Sequence, residues 1–207
     1  MSNIRFAKLV VFVNALVPLV LLLWDIYHQN VGANPQEFAI RTTGVMTLVF
    51  LTVTIAITPV RKIFGVNSLI KLRRMVGLFA FFYGTLHLTT YIWLDRLLNL
   101  RSVVQDVARR PFILLGMTAF ALMVPLAITS TNNMVKRLGG KYWARLHRLV
   151  YVAAVAGVVH FWMLVKSDTR LPLTFAFIVG LLLAHRVFVK YAPTEQPVTS
   201  ASLFPKD

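Results

Sequence analysis

The residues of this chain with chemistry to offer are three histidines set in long apolar segments: His87, His147 and His160. A neutral imidazole presents a lone pair to iron or another borderline metal, and a histidine without a partner in hydrocarbon costs several kcal/mol. His147 and His160 share the stretch Arg145–Val165, RLHRLVYVAAVAGVVHFWMLV, which is long enough to cross a bilayer. Their separation of about 13 residues is a helical rise of roughly 20 Å, so each lies toward a different membrane face and they cannot hold one metal together. Each needs a second ligand from another helix. The stretch Arg73–Leu94 offers His87, about 14 residues and roughly 21 Å from its basic end. Both stretches begin at clusters of Arg and Lys, which gives them one direction and puts His87 and His160 at similar depth. Two imidazoles at one depth on two helices are the ligand set of a bis-histidine haem. Gly84 and Gly157 precede them by about one turn, where a missing side chain lets a flat macrocycle approach the backbone.

His147 carries two readings of even weight, a ligand of a second haem or a solvated interfacial histidine beside Arg145 and Arg148. No histidine of the Arg73–Leu94 segment matches its depth. Arg73 stands there, a poor iron ligand but a good partner for a haem propionate or a flavin phosphate. On a straight helix about 13 residues turn His147 well off the face of His160, so a second site there calls for local bending. His28 and His185 end the first and sixth apolar segments and read first as interfacial residues; His28 could instead bond a quinone carbonyl and His185 could lie opposite His147. The aromatics Phe81, Phe82, Tyr83, Tyr91, Trp93, Phe161 and Trp162 read as packing and interfacial belt.

The elements that must position these residues are membrane helices. Of 207 residues 57% are hydrophobic, and mean hydropathy is +0.70, outside the range of an ordinary soluble domain. Six spans are expected: Leu9–Trp24, Thr42–Pro59, Arg73–Leu94, Pro111–Thr129, Arg145–Val165 and Leu171–Val189, with Pro125 kinking the end of the fourth. Residues 1–190 form the six-span domain, and residues 191–207 read as a disordered cytoplasmic tail. A short helix over Leu97–Val107 is expected on the membrane surface. The net charge of +15 does not call for nucleic acid, because the basic residues cluster at the ends of apolar segments, where topology and anionic lipid account for them. The absence of cysteine excludes iron–sulfur clusters, thiolate-ligated haem, covalent c-type haem and disulfides. Seven acids, mostly in loops, speak against hydrolysis or proton pumping.

The chain resembles the MsrQ (YedZ) family, the haem-binding membrane subunits of the protein-methionine-sulfoxide reductase system, within the wider ferric reductase and NADPH oxidase transmembrane group. The resemblance runs through LWDIYHQNVGANP, ITPVRKIFG, LRRMVGLFAFFYGTLHLTTY, RPFILLGMTAF and LAITSTNNMVKRLGGKYWARLHRLVY, with TLHLT and the WxxLHxxVY pattern at Trp143–Tyr151 the most specific parts. It implies an all-α, six-helix, ferric reductase-like bundle in the bacterial inner membrane. The family's haem-associated histidines fall on His87, His147 and His160, and Arg73 occupies the first of the two third-helix positions that carry histidine in the wider group. The resemblance also implies one or two b haems, FMN as a candidate further cofactor, quinol as electron donor, and a periplasmic molybdopterin-dependent methionine sulfoxide reductase as partner and acceptor. The alternatives are a membrane carrier delivering electrons to ferric iron or another acceptor, and a non-redox scaffold or permease subunit whose histidines cap helix ends.

Fifteen basic residues fall on the side of the termini against seven on the other, which predicts that both termini are cytoplasmic. A reporter fused after Asp207 is expected to work as a cytoplasmic green fluorescent protein and to fail as alkaline phosphatase; an active phosphatase fusion reverses the topology.

Overall fold

The computed structural model describes residues 3–191. Within them the chain is helical throughout: α1 (Asn3–Tyr27), α2 (Pro35–Phe64), α3 (Arg73–Thr90), α4 (Leu100–Arg109), α5 (Pro111–Ile128), α6 (Asn132–Leu138), α7 (Gly140–Leu146), α8 (Leu149–Leu164) and α9 (Arg170–Tyr191). Six segments are long and apolar enough to cross a membrane: α1, α2, α3 with the π-helical turn Tyr91–Asp95, α5, α7 joined to α8, and α9. The expected tail falls outside the described residues except for Tyr191, which ends α9.

Helical membrane spans satisfy their own backbone where no water is available, so hydropathy finds them and local chemistry sets their ends. α2 is longer than the expected Thr42–Pro59 for that reason. Asn34 accepts from the backbone of Glu37 ahead of Pro35 at the first turn, and Gly65, with φ of 69°, closes the far end in the left-handed region. Pro59 and Pro125 are carried inside α2 and α5. Thr43, Thr47, Thr54 and Thr129 return their hydroxyls to carbonyls of their own helices, the usual way such groups are satisfied in hydrocarbon.

Two antiparallel hairpins form the centre of the bundle. α2 packs along α3, and α5 packs along α8. They meet where Phe81 of α3 stacks on Phe120 of α5, with ring centres 5.5 Å apart, and where Gly157 of α8 lies against Leu48 of α2. The buried core follows this seam through Leu48, Leu51, Ile55, Ala80, Met123, Ala153, Ala154 and Val158, and continues to Phe175 and Val179 of α9. α1 is peripheral, attached by the buried Tyr83, whose hydroxyl donates to the carbonyl of Ala15 at 2.7 Å.

The segment expected as a surface helix over Leu97–Val107 starts later, at Leu100, because Leu97 and Leu98 turn through the left-handed region at φ of 47° and 61° and Asn99 caps the helix. One carboxylate ties this outer piece down. Asp106, buried on the inner side of α4, accepts from the Tyr91 hydroxyl at 2.7 Å and pairs with Arg96 at 2.8 Å and Arg110 at 3.3 Å. Removing one member of such a pair leaves buried charge uncompensated. Asp106→Ala is therefore expected to lower stability by about 2–3 kcal/mol, less than the roughly 3–5 kcal/mol of a fully buried pair because Arg110 is half-exposed and Arg96 keeps Asp95. Thermal unfolding in detergent checks this, with Asp106→Asn intermediate between the two.

Candidate functional site

His87 sits near the end of α3 and His160 near the end of α8, one from each hairpin, with ring centres 6.2 Å apart and planes at 78°. Each ring is held by the neighbouring helix of its own hairpin. The Nδ1 of His87 is 2.9 Å from the carbonyl oxygen of Ile40 on α2, and the Nδ1 of His160 is 2.6 Å from that of Phe112 on α5. A carbonyl can only accept, so both Nδ1 atoms carry the proton and both rings keep Nε2 as the lone-pair atom. Among the described residues neither Nε2 has a hydrogen-bond partner.

Two imidazoles facing one metal through bonds of about 2 Å, with half a ring width added on each side, have centres about 6 Å apart. The observed span fits a metal held between the two rings. Nitrogen-only donors, an apolar setting and a fixed outer hydrogen bond on each ring also fit a six-coordinate haem iron. No group of three or more His, Cys, Asp or Glu that could hold a metal ion occurs among the described residues.

The glycines do two different jobs. Gly84 and Gly157, expected to admit a macrocycle, face the seam between hairpins: an added Cβ would meet Met123 Cε at 3.0 Å and Leu48 Cδ2 at 3.0 Å. In this structure they allow close helix packing. The glycines that lie against the imidazoles are Gly44, where a Cβ would be 3.0 Å from His87 Nδ1, and Gly116, where it would be 2.9 Å from His160 Nδ1. Spacing along one helix does not single them out, because they belong to the neighbouring helices.

His147 departs from the continuous Arg145–Val165 helix expected of the sequence. α7 ends at Leu146 and α8 begins at Leu149, with His147 and Arg148 forming the joint. The joint tightens because Arg148 N–H donates to Arg145 and Tyr151 N–H to Arg148, three residues back rather than four. Trp143 stacks on His147 with centres 3.9 Å apart and donates its indole N–H to the Thr129 carbonyl at 2.9 Å. The Thr129 hydroxyl already donates to Pro125, so it accepts from His147 Nε2 at 3.1 Å. The usual ligand nitrogen is thus committed here, the reverse of the outer pair.

His147 nonetheless lines a cavity of about 230 Å³ at the opposite end of the bundle from His87 and His160. Arg73 lines it too, as the sequence reading anticipates, with Arg74, Gly77, Phe81, Trp143 and Ser130. Arg74, which hydrogen-bonds Asn132 at 2.5 Å, was not singled out from the sequence. His185 is on α9 and does not border this cavity, so the structure does not pair it with His147. His28 is exposed at the end of α1, stacked on Trp24 and bonded to that residue's own carbonyl. Tyr83 and Phe161 are core, while Trp93 and Trp162 are exposed, as packing and interfacial roles require.

The six-helix membrane bundle is a ferric reductase-like transmembrane component: the sequence model described as "Ferric reductase like transmembrane component" matches residues 38–158. Proteins named "Protein-methionine-sulfoxide reductase heme-binding subunit MsrQ" align along nearly the whole chain. That of Herminiimonas arsenicoxydans is 51% identical over 188 residues, covering 90% of this chain and 86% of the relative. That of Ralstonia nicotianae is 44% identical over 206 residues, 99% and 95% of the two chains, and that of Rhodospirillum rubrum 49% over 183 residues, 88% of each. The chain belongs to the MsrQ family and is a multi-pass bacterial membrane protein.

Proposed function

We propose that the chain is the b-type cytochrome subunit of a methionine sulfoxide reductase system, carrying electrons across the inner membrane to a periplasmic catalytic subunit. The observation that carries this reading is the His87–His160 pair, 6.2 Å between ring centres, with both Nδ1 atoms tied to backbone carbonyls. A haem supplies a one-electron couple when bound. His87 and His160 would hold it through Nε2, and the two carbonyls keep each ring in the tautomer that presents that nitrogen.

The opposite cavity is the receiving end in this reading. Arg73 and Arg74 would bind an anionic group there, such as a haem propionate or the phosphate of FMN, and His147 would serve a second haem through Nδ1, or through Nε2 by giving up its bond to Thr129. Phe81 borders that cavity and stacks on Phe120, giving a packed aromatic step toward the outer pair. The distribution of basic residues supports cytoplasmic termini, with the cavity on the cytoplasmic side and His87 and His160 near the periplasm. The names of the relatives support a methionine sulfoxide reductase catalytic subunit as acceptor; we assign that partner a molybdopterin centre and the donor role to the quinol pool.

Loss of either axial ligand opens the coordination shell, so His87→Ala and His160→Ala are each expected to abolish the same low-spin haem signal in the purified protein. A full low-spin complement in either variant overturns the ligand assignment. A quinol analogue is expected to reduce the bound haem, and His147→Ala to slow that reduction while the outer haem stays in place. Reduction by a flavin reductase with NADH, and none by quinol, makes flavin the donor.

A further inference from the structure

The two histidines are held by one device used twice. In α2 the accepting carbonyl belongs to Ile40 and the glycine under the ring is Gly44; in α5 the carbonyl belongs to Phe112 and the glycine is Gly116. In both cases the glycine follows the carbonyl by four residues, and the histidine lies 47 or 48 residues beyond the carbonyl. The offset of four has a physical cause. A helical carbonyl points along the axis toward the N–H four residues on, and the side chain at that position normally shields the oxygen from the flank. With glycine there, the oxygen keeps its helical bond and its flank is open to an outside donor; the Thr43 hydroxyl also lies 3.0 Å from the Ile40 oxygen but gives its one proton to Ala39 at 2.7 Å.

We infer that Gly44 and Gly116 are positioning residues for the two imidazoles: each uncovers the carbonyl one turn earlier, so that it accepts the Nδ1 proton of the histidine across the hairpin. The inference rests on the reading of His87 and His160 as haem ligands and adds what sets their chemistry. An Nδ1–H donated to a carbonyl makes the ring a stronger electron donor through Nε2, which favours the ferric over the ferrous state. The backbone oxygen cannot be deleted by mutation. The glycine is therefore the position at which this bond can be altered.

A Cβ at either glycine meets the ring at 3.0 or 2.9 Å, closer than ordinary contact, and the obstacle is a ring held at Nδ1 by the carbonyl rather than the tip of a flexible chain. The ring must give way by a few tenths of an ångström, which lengthens or bends its bond to the carbonyl. The test uses the full-length haem-loaded protein in nanodiscs. Gly44→Ala and Gly116→Ala are each expected to raise the haem midpoint potential by about 59 mV, a tenfold shift in the one-electron equilibrium, or to weaken haem retention by 10-fold or more. Gly180→Ala, with open space around the added carbon, is the control and leaves both unchanged.

Unaltered potential and haem retention in both alanine variants overturns the inference while leaving the ligand assignment intact. Absence of low-spin haem from the unmodified protein instead overturns the ligand reading itself. Should the alanine variants fail to fold, pulsed electron paramagnetic resonance of the oxidised unmodified protein, labelled with 15N-histidine, decides the matter. Two Nδ1 nitrogens each bearing an exchangeable proton support the inference. A metal-bound or deprotonated Nδ1 on either ring overturns it.

Discussion

The interaction on which the rest depends is the hydrogen bond from each histidine to a main-chain carbonyl on the neighbouring helix. In water an imidazole N–H has many partners and its tautomer is free to exchange. In a bilayer the partners are limited to what the bundle offers, and an unmet donor costs several kcal/mol. A carbonyl already engaged in a helix is a fixed acceptor, so the bond sets ring direction and tautomer together. The helices must then approach closely enough for a ring to reach the backbone. Glycine at positions 44 and 116 meets that requirement, since a Cβ there would come within 3.0 Å of the ring.

Much of this was legible in the sequence. The six spans follow from hydropathy because a membrane helix must be apolar along its length, and the common depth of His87 and His160 follows from the basic starts of their segments. Arg73 and His147 do line one cavity. What was not legible concerns the backbone and contacts across helices. Ile40 and Phe112 act through their carbonyls, to which side-chain identity gives no clue. The joint at His147 depends on Trp143 and Thr129, residues on two different helices. The role of Gly84 and Gly157 could not be decided from their spacing to the histidines, since packing against Met123 and Leu48 uses the same helix face.

The two ends of the bundle handle charge differently. All the acids among the described residues, Asp25, Glu37, Asp95, Asp106 and Asp168, lie at the end that holds His87 and His160, and Asp106 anchors α4 there through Arg96, Arg110 and Tyr91. The other end has cations without described carboxylates. Arg186 of α9 shows how such a cation is held: its terminal nitrogens bond the Tyr151 hydroxyl of α8 and the Ile55 carbonyl of α2, its guanidinium lies 4.6 Å from the centre of the Tyr151 ring, and its Nε is buried without a partner. Neutral acceptors and an aromatic face hold it in place while leaving its charge uncancelled.

The order of the chain gives the arrangement a further property. Each histidine and its bracing carbonyl lie within one hairpin, α2 with α3 or α5 with α8, so either half of the site is complete once its own hairpin forms. The two halves meet only where the hairpins dock, through Phe81 on Phe120, Gly84 on Met123 and Gly157 on Leu48. Packing between apolar faces in a membrane has no hydrophobic drive, because lipid tails are as apolar as leucine. A group coordinated by both histidines would add a bond across that seam where packing alone contributes little. With each ring braced inside its own hairpin, such a group would hold the docked hairpins together without first having to order the rings.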